Sequence, residues 1–173
     1  MDSKTALIAT AERLFHEHGF MATGMDTLAK AAGMSSRTLY KHAGSKTELI
    51  VAVLDARDRR FFALVDGPSI AALFAAHAAW IATEGAHGCL FLRALGETGG
   101  AEPAIAAAVL RHKARLRACI ERMVGAETGR LDPVLAQQVL LLFEGAVAAS
   151  AWQGVAAVRS AAATAAQLMA GAR

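Results

Sequence analysis

The sequence predicts an all-α protein of about nine helices. Alanine, the best helix former, dominates a chain of 173 residues with only three prolines. Apolar residues recur at three- and four-residue steps along most of its length. The β-branched residues nowhere alternate with polar ones long enough to make a strand. With 55% hydrophobic and 19% charged residues, the chain has ample material for a packed core.

The first helix is expected from Ser3 to about His18, where Leu7, Ala11, Leu14, Phe15 and His18 form one apolar stripe. Gly19 ends it, because glycine enters the left-handed region at no steric cost. Phe20 and Met21 are then expected to turn inward. Thr23 and Asp26 read as the capping box of a second helix, with the threonine oxygen accepting a free amide. That helix carries Leu28, Ala29 and Ala32 and stops at Gly33. Ser35 caps a third helix from Ser36 to about His42, and Gly44 breaks it. Ser45 and Glu48 form a further capping box, opening a long fourth helix through Leu49, Val53, Leu54, Phe61, Leu64 and Val65.

Gly67 and Pro68 are expected to open a fifth helix reaching about Glu84, since proline is tolerated in a first turn. A short segment from about Cys89 to Glu97 ends at Gly99 and Gly100. Pro103 opens a helix to about Val124, Asp132 and Pro133 another to about Trp152, and the last runs from Val155 to about Ala170. The longest uncharged stretch of the C-terminal third, residues 145–158, is shorter than the roughly 18 apolar residues a membrane span requires. The N-terminus has no apolar signal core. A cytoplasmic protein with no membrane partner is expected.

Charge is informative through its distribution. The net charge is only +3. Residues 29–47, however, hold Lys30, Arg37, Lys41, Lys46 and the titratable His42, and no acid. A local cationic island suits a phosphate backbone. It coincides with a pattern that has its own steric logic. Two helices crossing closely need a small residue at the crossing, and Ala29 supplies it. The turn needs a residue tolerant of positive φ, and Gly33 follows four residues later. The second helix needs an apolar anchor, and Leu39 lies six residues beyond. A helix-turn-helix meets these demands and points the first turn of its second helix into a major groove.

At this point the chain resembles the TetR family of transcriptional regulators. The resemblance rests on Ala11, Leu14, Phe15, Gly19 and Phe20, on Thr23, Leu28, Ala29, Ala31 and Gly33, and on Ser35, Thr38, Leu39, Tyr40, His42, Lys46 and Leu49. It covers residues 9–54. One departure is Ala43, where that family commonly has a bulky apolar residue. Beyond Leu54 the likeness is the helical pattern, the length and the segment Gly88, Cys89, Leu90, Phe91. The resemblance implies an N-terminal DNA-binding domain, residues 1–46, and a helical regulatory and dimerisation domain, residues 47–173. It further implies a homodimeric repressor released from a palindromic DNA operator by a small apolar or aromatic ligand.

Candidate roles follow. Arg37 suits a bidentate contact to a guanine edge. Ser36 and Lys41 reach base edges or nearby phosphates. Thr38, Tyr40 and His42 occupy positions that often contact phosphate in the family, although Tyr40 also reads as a packing residue with a wet hydroxyl. Lys46, in the first turn of the fourth helix, joins free amides and the positive dipole end as a phosphate clamp.

In the second half, the stripe Ile70, Leu73, Phe74, His77, Trp80, Ile81 and the stripe Ile105, Val109, His112, Leu116, Cys119, Ile120, Met123 each contain one histidine. Either alone reads as a satisfied core histidine. Together Phe74, His77, Trp80, Phe91, His112, Leu116 and Cys119 are candidate lining of an apolar ligand pocket. No His/Cys/carboxylate spacing marks a metal, and no cofactor is expected. Cys89 reads as a small buried hydrophobe more than as a redox sensor. Arg111, Lys113, Arg115 and Arg117 read as a solvated surface. The eighth helix is apolar nearly all round, so a partner subunit is expected to cover one side of it, with Leu135, Val139, Leu142, Phe143 and Ala146 as candidate dimer contacts. Two rival functions remain open, a DNA-binding protein without a ligand and a small helical enzyme. The second lacks paired carboxylates, a nucleophile with its base, or a phosphate loop, so no enzymatic activity is expected.

Overall fold

A computed structural model describes residues 3–65, 67 and 69–172. The described residues form nine α-helices and no strand. They are α1 (Ser3–His18), α2 (Met25–Ala31), α3 (Ser36–Ala43), α4 (Lys46–Leu64), α5 (Ile70–Glu84), α6 (Leu90–Thr98), α7 (Pro103–Thr128), α8 (Pro133–Gln153) and α9 (Val155–Gly171). Most termini carry the expected signals. The Ser35 hydroxyl accepts from the Thr38 amide at 3.2 Å. Ser45 and Glu48 cap reciprocally, at 2.7 and 3.1 Å. Asp132 accepts from the Leu135 amide at 3.0 Å, with Pro133 in the first turn of α8. The fifth helix begins at Ile70 with Ser69 as its cap, and the expected role of Pro68 falls outside the described residues.

Three local expectations are corrected. Thr23 does not cap α2: its hydroxyl donates to the Gly19 carbonyl at 2.6 Å, so it closes the end of α1, while Gly24 is the α2 cap residue. Met21 is exposed rather than inward, because its backbone, not its side chain, is what the fold engages. His18 is exposed as well, leaving Leu7, Ala11, Leu14 and Phe15 as the buried stripe of α1.

The chain divides into two compact units, Met1–Arg59 with Leu90–His112, and Arg60–Cys89 with Lys113–Arg173. The divisions fall inside α4 and α7. In the first unit, Phe15 stacks on Phe20 with centroids 4.7 Å apart, beside buried Leu28, Leu39, Leu49 and Val53. Arg57 and Glu12 form a buried ion pair at 2.8 Å. The His112 ring lies flat on Phe91 at 3.7 Å, and its Nδ1 is 2.8 Å from Asp58.

The second unit is built on a cluster in which Phe61, Phe74, Trp80 and Phe143 meet Leu116, Cys119, Val139 and Val158. Phe143 is its hub, 5.5 Å from Phe74, 5.2 Å from His77 and 6.2 Å from Phe61. Contrary to expectation, helix α8 is long and apolar enough to cross a membrane by length and composition. It packs here as a core helix, and its Glu144 meets Lys113 at 2.7 Å through both oxygens. The basic residues of α7 are accordingly engaged rather than simply solvated. Arg115 lies 4.0 Å over the Phe62 ring, and Arg117 reaches Gln137.

Candidate nucleic-acid interface

The turn between α2 and α3 closes on backbone hydrogen bonds. The Met34 amide donates to Ala29 at 2.9 Å and the Gly33 amide to Lys30 at 3.2 Å, the paired bonds of a Schellman motif. The motif requires a left-handed residue, and Gly33 has φ +64°. Ala29 is buried at the crossing and Leu39 is fully buried beneath α3.

With Leu39 and Ala43 facing the core, helical geometry decides where the rest of α3 points. Arg37 and Lys41, one turn apart, lie on the opposite side, and both are exposed. Ser36 and Tyr40 form one exposed shoulder, and the half-buried Thr38 and His42 form the other. The Thr38 hydroxyl shares a 2.9 Å hydrogen bond with Ser35 at the start of the helix. Six of the seven candidate DNA contacts therefore share one short helix. Lys46 differs. It is half-buried, and its Nζ donates to the Met21 carbonyl at 3.2 Å, tying the start of α4 to the turn after α1.

A second side chain grips the same turn, and sequence order did not reveal it. Glu97 on α6 accepts the Met21 amide at 3.0 Å, and Arg93, paired to Glu97 at 2.7 Å, donates to the His16 carbonyl at 2.8 Å. Met21 is thus held at its N–H by α6 and at its C=O by α4. Gly19 is favoured by its φ of +90°, and a Cβ there would lie 2.8 Å from the Glu97 carboxylate and push it aside. Partial burial by itself raises the Glu97 carboxyl, but hydrogen bonds from the Met21 amide, the Arg93 side chain and the Phe20 amide outweigh it and hold the group below its usual value.

The other candidates distribute as follows. Phe74, His77, Trp80, Leu116 and Cys119 belong to the second unit and are buried in its core. Phe91 and His112 belong to the first unit, stacked on one another. Among the candidate dimer residues, Leu135, Val139, Phe143 and Ala146 are turned into the core of their own chain, and Leu142 is half-buried. The free side of α8 is made instead by Val134, Gln138, Leu141, Gly145, Ala148 and Trp152, all exposed and spaced alternately by four and three. Cys89 is half-buried with its sulfur 3.5 Å from the Lys113 ammonium.

These features define a helix-turn-helix module on an all-α body. Residues 7–53 match the family model of bacterial regulatory proteins of the tetR family. The chain is 46% identical over 48 residues to the HTH-type transcriptional activator FasR of Mycolicibacterium smegmatis, a match covering 28% of this chain and 22% of FasR. This chain therefore spans about a fifth of that relative's length. Among solved structures, it is similar to a TetR-family transcriptional regulator from Streptomyces coelicolor, with a TM-score of 0.85 at 25% identity over 98% of this chain and 95% of that one. It is also similar to a TetR-type regulator from Streptomyces avermitilis, with a TM-score of 0.81 at 28% identity over 99% and 98% of the two chains. Residues 7–53 thus carry the DNA-binding module of the tetR family, and the whole chain is similar in fold to TetR-family regulators.

Proposed function

We propose that this chain is a cytoplasmic, sequence-specific DNA-binding regulator of transcription. It acts as a homodimeric repressor that a small molecule releases from a palindromic operator. The observation that carries the reading is the outward face of α3, where Arg37 and Lys41 stand opposite the buried Leu39 and Ala43. Base-edge readout in a major groove needs such a short, rigid helix with long donors on its free side. Ser36, Thr38, Tyr40 and His42 then flank the reading residues as base or phosphate contacts, and Lys46 adds a cation where α4 begins.

The dimer reading rests on the free sides of the last two helices. Val134, Leu141 and Trp152 are 68%, 63% and 72% exposed on α8. On α9, Ala156, Ser160, Ala163, Gln167 and Ala170 are exposed at the same alternating spacing. Two copies pairing these stripes form a four-helix bundle, and the small residues of α9 permit close approach. A two-fold dimer presents two recognition helices to a palindrome. Ligand release follows from linkage, because a ligand lowers DNA affinity when it prefers a conformation whose recognition helices are misplaced. Helices α4 and α7 each run through both units and are the covalent route for that coupling.

The test is selection of bound sequences from a random DNA library, followed by a reporter carrying the selected site. Recovery of a palindrome with reporter repression supports the reading. Binding without sequence preference overturns it, and activation of the reporter overturns the repressor assignment.

A further inference from the structure

Helices α2 and α3 lie in the chain between Met21 and Thr47, and one corner of the molecule holds both of those residues. Glu97, in the last turn of α6, accepts the Met21 amide at 3.0 Å. Glu102, the residue before α7, accepts from the Thr47 hydroxyl at 3.2 Å. Entry and exit are themselves tied, since the Lys46 ammonium donates to the Met21 carbonyl at 3.2 Å. The corner between the two acids is short and closed on itself. The Ala101 amide donates to the Thr98 carbonyl at 3.1 Å, and the Thr98 hydroxyl to the Ala94 carbonyl at 2.9 Å. All of these residues belong to the first compact unit.

The two grips are unequal. Glu97 is half-buried and paired with Arg93, so a fixed, charged acceptor meets the Met21 amide. Glu102 is exposed, and its bond to Thr47 competes with water. Residues 29–47 contain no acid, and these carboxylates come to that cationic module from elsewhere in the chain. Negative charge there opposes the attraction of phosphate, so what the two acids add to DNA binding is geometric. Reading a base edge needs side chains held within about 0.5 Å and 10–20° of their working geometry, and that precision comes from supporting contacts. Burial of Leu39 and Ala43 sets which side of α3 faces the core. The two carboxylates set where the helix pair enters and leaves.

We propose that Glu97 and Glu102 are positioning residues for sequence reading, the α6–α7 corner bracketing α2 and α3 in the pose that carries Arg37 and Lys41 to base edges. This rests on the reading of α3 as the base-reading helix. Charge and geometry predict opposite signs. Acids acting only as charges weaken every DNA complex, so their removal tightens all of them. Acids acting as a bracket favour the selected sequence, so their removal weakens that complex alone.

The experiment measures affinity of the full chain for two duplexes, one selected by the wild type from a random library and one of scrambled sequence. Glu97→Ala is expected to lower the ratio of the two affinities about tenfold, the worth of about one good base contact. Glu102→Ala is expected to lower it about threefold, in line with its exposed bond. Affinity for the scrambled duplex stays equal or rises, because a negative charge is gone. Glu97→Gln keeps an acceptor for the Met21 amide and is expected to restore most of the ratio. Circular dichroism well below the melting temperature ensures that only folded protein is compared, and if Glu97→Ala does not fold, Glu102→Ala decides. Ratios unchanged in both alanine variants overturn the proposal. So does an equal gain or an equal loss on both duplexes, or a Glu97→Gln protein as impaired as Glu97→Ala. A wild type that selects no sequence sinks the base-reading role of α3 and this proposal with it. Selection by the wild type with unaltered ratios in the variants sinks the bracket alone.

Discussion

Arg37 sits where a single side chain decides between reading bases and merely touching DNA. It is exposed at the start of α3, opposite Leu39, with a planar fork that matches a guanine edge. Arg37→Ala is expected to cost about 1–3 kcal/mol of operator affinity and to relax preference at one base pair, as measured by binding-site selection. Lys46→Ala is expected to weaken binding to all sequences about equally, since its charge carries no base information. Ala43 raises a different question at the same scale. A cleft of about 340 Å³ lies against it, bordered by Leu7, Ile8, Leu49 and Ala52. Ala43→Leu is expected to fill part of this space and to stabilise the chain by about 0.5–2 kcal/mol, read by thermal melting. A lower melting temperature would mean that the neighbouring helices cannot give way to the larger side chain.

At the scale of elements, the turn after α1 is where distant sequence acts on the DNA-reading module. Glu97 and Arg93 come from α6 and Lys46 from α4, yet they meet on the backbone of residues 16–21. The depressed Glu97 carboxyl makes this grip pH-dependent. A carboxyl whose folded pKa lies below its unfolded value contributes stability above the unfolded value, about 4.5 here, and loses it as pH falls through the folded value. Glu97→Gln should therefore lower stability near neutral pH and flatten the decline of stability on acidification below that point. Denaturant titrations at several pH values check this. An unchanged acid slope would show that the carboxylate contributes nothing to holding the turn.

For the molecule as a whole, the two sides of α8 make opposite predictions. Leu141 faces outward and Val139 faces the core of its own chain. Leu141→Arg is expected to give folded, helical monomers that have lost tight operator binding. Val139→Arg buries an unpaired charge and is expected to destabilise each chain by several kcal/mol. Sedimentation and circular dichroism separate these outcomes. A Leu141→Arg protein that sediments as wild type would remove α8 from the interface.

The recognition module was legible in the linear order of residues because its causes are local. A small residue at the crossing, a left-handed Gly33, the Ser35 cap and the Ser45–Glu48 box each act within a few positions, and hydrogen bonding over that range depends little on what packs around it. Helix starts and stops were legible for the same reason, from Gly19, Gly44, Pro103 and Asp132. Thr23 misled because a hydroxyl between two helix ends can serve either, and only the packed backbone decides that it serves α1. The face of α8 that meets solvent was not legible, since a helix apolar nearly all round gives periodicity no contrast to read. The tertiary structure alone turned Leu135, Val139 and Phe143 inward and left Val134, Leu141 and Trp152 free. It also brought residues 90–112 into one compact unit with the recognition helices, across a sequence gap that no local hydrogen bond or repeat encodes.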